Sequence, residues 1–184
     1  AWSLADLFPA VDSPELKNAF KELETRATAL ESKRPLLTDK ISQQEFLSLI
    51  AELETLYRLG RRVANYAELN FSMDTQNQAA LGLVARVEQL FSEIQNRTLF
   101  FSLWWKDLAD EFAAPLMQNA GDYRYWLEEM RHYKPHTLTE AEEKIINTKN
   151  VTGVSALNTL YDSFTNRYIF KVEVAGEVKE LTRG

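Results

Sequence analysis

The chain has 184 residues, 45% of them hydrophobic and 26% charged, with a formal net charge of −6 and an isoelectric point near 5.1. That length holds one large domain or two small ones with a substantial core, and the composition excludes general disorder. The acidic balance weighs against a nucleic-acid partner, which needs clustered cations, and the lack of cysteine excludes disulfides, thiolate chemistry and Cys-ligated metals.

Only six glycines and five prolines punctuate the sequence, so it reads as long helices with short joints. The first helix starts at Ser13-Pro14-Glu15, where an N-cap precedes a proline at the first helical position and an acid near the positive end of the dipole. Its apolar stripe is Leu16, Phe20, Leu23, Ala27 and Leu30, in helical steps of four and three. The second helix opens on a capping box, Ser42 with Glu45, and carries Phe46, Ile50, Leu53, Tyr57, Gly60, Ala64, Ala67 and Phe71. Leu49, Leu56 and Val63 widen that stripe, so the helix is expected to pack against more than one neighbour. Gly60 weakens the helix locally and permits another helix to approach closely.

A third long helix is predicted over 76–108, with Leu83, Val87, Leu90, Ile94, Phe101, Trp104 and Leu108 on one line, and Val84, Phe91 and Trp105 alongside. Arg97 interrupts the first line. The aromatic run Phe100, Phe101, Trp104 and Trp105 reads as core, with a partner groove as the alternative. Shorter helices are predicted over 106–118, 121–133, 139–149 and 154–166. The third of these starts at a second capping box, Thr139 with Glu142, and the fourth is expected to turn Val154, Leu157, Leu160, Tyr161 and Phe164 inside.

The period then changes to two over 168–174, Ala175-Gly176 turns, and residues 178–182 return, which predicts a β-hairpin. A lone hairpin is marginal in water and needs something to pack on, so the chain is expected to be a piece of something longer. The fold class is therefore mostly α, an antiparallel multi-helix bundle of long helices with a short C-terminal β-hairpin. Residues 1–166 are expected to form the helical domain and 167–184 the hairpin. No apolar run approaches a membrane span and no signal-peptide pattern opens the chain, so a soluble cytoplasmic protein without membrane contact is expected. The sequons at Asn70, Asn96 and Asn150 read as coincidence in that setting.

His132 and His136, the only two histidines, stand four apart, which is the His spacing of a helical zinc-peptidase motif. Two such rings meet on one metal only if the segment between them is helical. Pro135 lies between them, lacks an amide donor and pushes Lys134 out of the helical region, so the helix should end near Tyr133. Position 133 is also Tyr, where the motif needs a Glu as general base. The pair reads as surface or capping histidines flanking a turn, and no metal ligand is assigned in this chain.

Other candidates are equally sparse. With both histidines in one turn and no cysteine, nucleophile–His arrangements are absent or poor, and no glycine-rich phosphate loop occurs. Glu140, Glu142 and Glu143 form the tightest acidic cluster; the helix dipole explains acids there, against a glycosidase-like pair. Glu128 and Glu129 read as a solvated face, as do Arg58, Arg61 and Arg62, the densest basic cluster. No catalytic residue is assigned, and the substrate-binding residues are left unknown.

The most specific resemblance lies in the same joint. Lys134-Pro135-His136-Thr137-Leu138-Thr139-Glu140-Ala141-Glu142-Glu143-Lys144-Ile145-Ile146, then Thr152-Gly153 and the stretch 156–162 with Leu160-Tyr161, resembles the N-terminal region of oligoendopeptidase F, in the M3 family of zinc metallopeptidases. Trp2-Ser3-Leu4-Ala5-Asp6-Leu7-Phe8-Pro9, Asp12-Ser13-Pro14-Glu15, Tyr66-Ala67-Glu68-Leu69 and Met73-Asp74-Thr75 are similar to the same family, in the same order. The resemblance implies a largely helical, cytosolic parent that cuts short peptides inside a deep channel, with zinc held by an HExxH helix and a further Glu. No His-Glu-x-x-His occurs in this sequence, so none of those roles falls on any residue here.

What the resemblance implies for this chain is architectural. It would form a non-catalytic wall or lid of the channel, inactive alone, with no cofactor of its own and zinc in the rest of the parent. Its partners would be the catalytic domain and the parent's oligopeptide substrates, and an exposed apolar surface is expected where that domain docks. The alternative is a free-standing helical module that binds peptides or a protein without cutting.

Overall fold

A computed structural model describes residues 3–174 and 176–181; Trp2 of the first resemblance block, Ala175 of the predicted turn, and Thr182 at the end of the predicted return strand lie outside the described residues. Helix α1 (Pro14–Glu31) begins as the sequence predicts, with the Ser13 side chain accepting the Leu16 amide and Pro14 in the first turn. Helix α2 (Gln43–Met73) starts at the reciprocal Ser42–Glu45 capping box. Helix α3 (Gln78–Asp107) starts two residues later than predicted, because Asn77 accepts the Ala79 and Ala80 amides and so fixes the N-terminus.

These three helices form an up-down-up bundle. Lys33, just past the end of α1, pairs with Glu52 of α2, while Phe46 contacts Trp105 and Tyr57 bonds Thr98 across α2 and α3. The predicted stripes meet in one core that includes Leu16, Leu23, Leu30, Phe46, Ile50, Leu56 and Val63, all at most 2% exposed. At Gly60 a β-carbon would stand 2.8 Å from the Phe91 ring, so the glycine is what lets α3 lie this close. Arg97, the break in the α3 stripe, reaches out to Glu24, Thr28 and Glu31 and ties α3 to α1.

The chain then turns at Leu108, whose backbone is extended, so the helix predicted over 106–118 is the shorter α4 (Asp110–Gln118). The helix predicted over 121–133 is a 3-10 turn, Gly121–Tyr123, followed by α5 (Arg124–His132). Gly121 sits at φ +56°, a left-handed conformation that an α-helix cannot pass through. Arg131 locks this corner by donating to the Trp105 carbonyl, to the Leu108 carbonyl at 2.7 Å and to Asp110 at 2.6 Å. The Trp105 indole donates to the Leu127 carbonyl at 2.9 Å. With Phe100, Phe101 and Trp105 buried, the aromatic run is core, and Trp104 packs against it half-buried.

Helices α6 (Glu140–Asn150) and α7 (Ala156–Thr165) were expected to be separate, but the π-helical turn Val151–Ser155 joins them into one rod. Gly153 does not take a positive φ, so nothing in its backbone stops the helix. The rod runs antiparallel to α3 on polar contacts: Asn147 to Asn96, Asn96 to Thr148, Ser155 to Glu88 and Arg167 to Gln76. The expectation that Val154, Leu157, Leu160, Tyr161 and Phe164 lie inside is overturned, since each is 58–65% exposed. Their helical spacing is real, but no element among the described residues covers that side.

The hairpin is present. Strands β1 (Phe170–Val174) and β2 (Glu177–Leu181) pair antiparallel from Phe170 opposite Leu181 to Val174 opposite Glu177. Gly176 turns at φ +81°. β1 starts two residues later than the sequence pattern, because the Tyr168 amide still bonds the Thr165 carbonyl at the end of α7. All strand residues are exposed. Among the described residues, no helix is long and apolar enough to cross a membrane.

Candidate functional site

The His132–His136 joint has the geometry that Pro135 dictates. Helix α5 ends at His132, and Lys134–His136 forms a 3-10 turn, so the helical register that would bring both rings to one metal is broken. His132 Nδ1 lies 3.3 Å from the Glu129 carboxylate, and both rings are exposed. Zinc does not fit this pair, and the described residues contain no cluster of three or more His, Asp or Glu side chains that would hold an ion.

The acidic cluster is structural in its contacts. Glu142 completes the capping box with Thr139, and Glu143 accepts the Leu138 amide. Glu140 receives Arg34 on both oxygens, at 3.1 and 2.6 Å, and Lys144 at 2.7 Å. The Arg34 hydrogen bonds, then the Lys144 one, lower the Glu140 carboxyl from its ordinary 4.5 to about 2. This pairing joins the end of α1 to the start of α6 across more than a hundred residues, and no local sequence pattern signals it. Beside it an open cavity of about 570 Å³ is lined by Arg34, Phe100, Trp104, Lys134 and Leu138.

The arginine cluster divides. Arg62 donates to the Leu7 carbonyl and lies 4.5 Å from the Phe8 ring centroid, so it pins the N-terminal segment rather than standing free. Arg58 and Arg61 instead border a groove of about 580 Å³ between α2 and α5. Along the π-helical joint, burial raises the Glu88 carboxyl above its usual range, although Ser155 bonds it.

The largest unexplained feature is the apolar side of the α6–α7 rod together with the hairpin. Val154, Leu157, Leu160, Tyr161 and Phe164 continue into Tyr168, Ile169, Phe170, Val172 and Val174, every one more than 40% exposed. Exposed apolar patches of this extent mark interaction surfaces. Fold and surfaces together define a helical domain with a packed bundle at one side and an uncovered apolar face at the other.

Comparison with known proteins agrees with the helical fold. Residues 104–170, from the aromatic core through the joint and the rod to the hairpin, match the peptidase M3 N-terminal family model described as Oligopeptidase F. The crystal structure of oligoendopeptidase-F from Enterococcus faecium is similar over 92% of this chain, with a TM-score of 0.73 and 20% identity. At that identity the likeness is one of fold, and the chain spans 33% of that protein's length. No curated protein matches. The resemblance to the N-terminal region of an oligoendopeptidase F-like peptidase, read from the ordered sequence blocks, is borne out.

Proposed function

We propose that this chain is the N-terminal, non-catalytic wall or lid of an M3-type zinc oligoendopeptidase, a cytoplasmic enzyme that hydrolyses short oligopeptides. The single observation that carries the reading is the uncovered apolar face of α7 and the hairpin, which lies within and just beyond the segment similar to the family. Residues 1–166 form the helical domain, and the hairpin leads into the catalytic part. Zinc, its HExxH ligands and the general-base Glu belong to the remaining two-thirds of such a protein, since the residues here offer no fitting ligand set. The bundle excludes water and restricts access, and the rod presents the docking face.

The reading frame beyond Gly184 tests this. An HExxH-encoding segment downstream is the expected result; a stop codon there would overturn the reading in favour of a free-standing peptide- or protein-binding module.

A further inference from the structure

Ile50, Leu53, Glu54, Tyr57, Arg58 and Arg61 follow one another in steps of three and one, which places them on a single face of α2. Tyr123 and Trp126 stand across from them, and the groove between holds about 580 Å³. Its floor, Ile50 and Leu53, is buried, whereas Tyr57 and Trp126 are 39% and 41% exposed. Both rings are held in place: the Tyr57 hydroxyl is 3.2 Å from the Thr98 hydroxyl, and the Trp126 indole stacks on Phe101 with planes 5° apart. A rigid aromatic slot therefore exists before any ligand arrives.

The slot carries three charged side chains, Glu54, Arg58 and Arg61. Tyr123 donates to Glu54 at 2.6 Å, so that carboxylate has a partner of its own. Among the described residues neither Arg58 nor Arg61 has an ion pair or an acceptor. A second hollow of about 230 Å³ shares Leu53, Tyr57 and Trp126 and continues past Gln95, Ser102 and Asn147. Asn147 Nδ2 and the Ser102 hydroxyl already donate to Asn96 and Leu99, which leaves the Gln95 amide and the Asn147 oxygen to suit a peptide backbone.

The geometry points to a binding site for the C-terminal residue of a short peptide, with a large apolar side chain between Tyr57 and Trp126 and the α-carboxylate on Arg58 and Arg61. Planar guanidinium pairs bind a carboxylate in a fork, and the neighbouring amides meet the backbone that a simple fatty acid lacks. The choice of a peptide rests on the proposed peptidase role, but the site stands on α2 and α5 and not on the docking face.

The test is calorimetric titration of the 184-residue protein with the probe Ala-Ala-Ala-Phe, its C-terminal amide, and octanoate. The free acid should bind, and amidation or the double variant Arg58→Gln/Arg61→Gln should weaken it by about tenfold or more, as loss of charge-assisted hydrogen bonds does. Lys17→Gln, on the exposed side of α1, should leave binding unchanged. Equal affinity for acid and amide, no binding of either, or octanoate binding as tightly as the peptide would overturn the assignment. None of those results touches the reading-frame test, so failure here and failure of the peptidase role are distinguishable.

Discussion

Gly60, Glu140 and Pro135 each show one residue deciding a local outcome. Gly60 leaves room for the Phe91 ring, and a β-carbon there would already stand 2.8 Å from it. Gly60→Leu should therefore destabilise the bundle by about 1–3 kcal/mol through overpacking, measured by urea denaturation; an unchanged midpoint would mean that α3 yields without cost. Glu140 is depressed to about 2 when folded, against 4.5 ordinarily. A depressed carboxyl stabilises the fold above its unfolded value and loses that contribution as pH falls through the folded one. Glu140→Gln should thus cost at most about 1 kcal/mol at pH 7, as a largely solvated pair does. The difference from the parent chain should shrink between pH 4.5 and 2; a difference constant across that window would show that Arg34 and Lys144 do not set it. Pro135 was legible from sequence because its effect is local, whereas Arg34 meeting Glu140 and Arg62 meeting Leu7 depend on tertiary folding that no spacing encodes.

At the scale of elements, both capping boxes, the three long stripes and the hairpin were readable because caps and periodicity are local properties. The division of 139–166 into two helices was not. The helices predicted over 139–149 and 154–166 run on into one another through the π turn Val151–Ser155, and such turns are a known way for a helix to absorb a local irregularity. The apolar stripe of α7 was read correctly as a stripe and wrongly as core, since periodicity reports that a face is apolar and not whether a partner covers it. That difference is measurable. Leu157→Glu with Phe164→Glu should change stability by no more than about 0.5 kcal/mol per site, as exposed substitutions do. The same variant should lower binding of a hydrophobic dye such as ANS severalfold. A cooperative loss of folding in the variant would place these side chains in a core instead.

For the whole molecule, the two sides have opposite characters. One is a three-helix bundle whose apolar stripes are mostly buried against each other, tied by Arg131 and Arg97 at its corners. The other is a rod held to α3 by amides and hydroxyls, carrying an apolar face outward and ending in a two-stranded sheet with no exposed-to-buried alternation. A two-stranded hairpin of this kind is marginal by itself, and this chain spans 33% of the similar solved structure's length; the cover proposed above is the remainder of such a protein. The aromatic groove on α2 lies within the bundle's own surface; Leu53 and Tyr57 were legible as members of the α2 stripe, and the groove itself was not.

The central proposal is that the apolar face of α7 and the hairpin, within residues 154–181, is an interface with the catalytic part of an M3-type peptidase. Amide hydrogen exchange of this chain, set against the same residues within the longer protein that the proposal requires, tests it most directly. Rapid exchange across 154–181 in the isolated chain and strong protection in the parent is the predicted result, with the bundle core equally protected in both. Equally rapid exchange of 154–181 in both forms would contradict the claim.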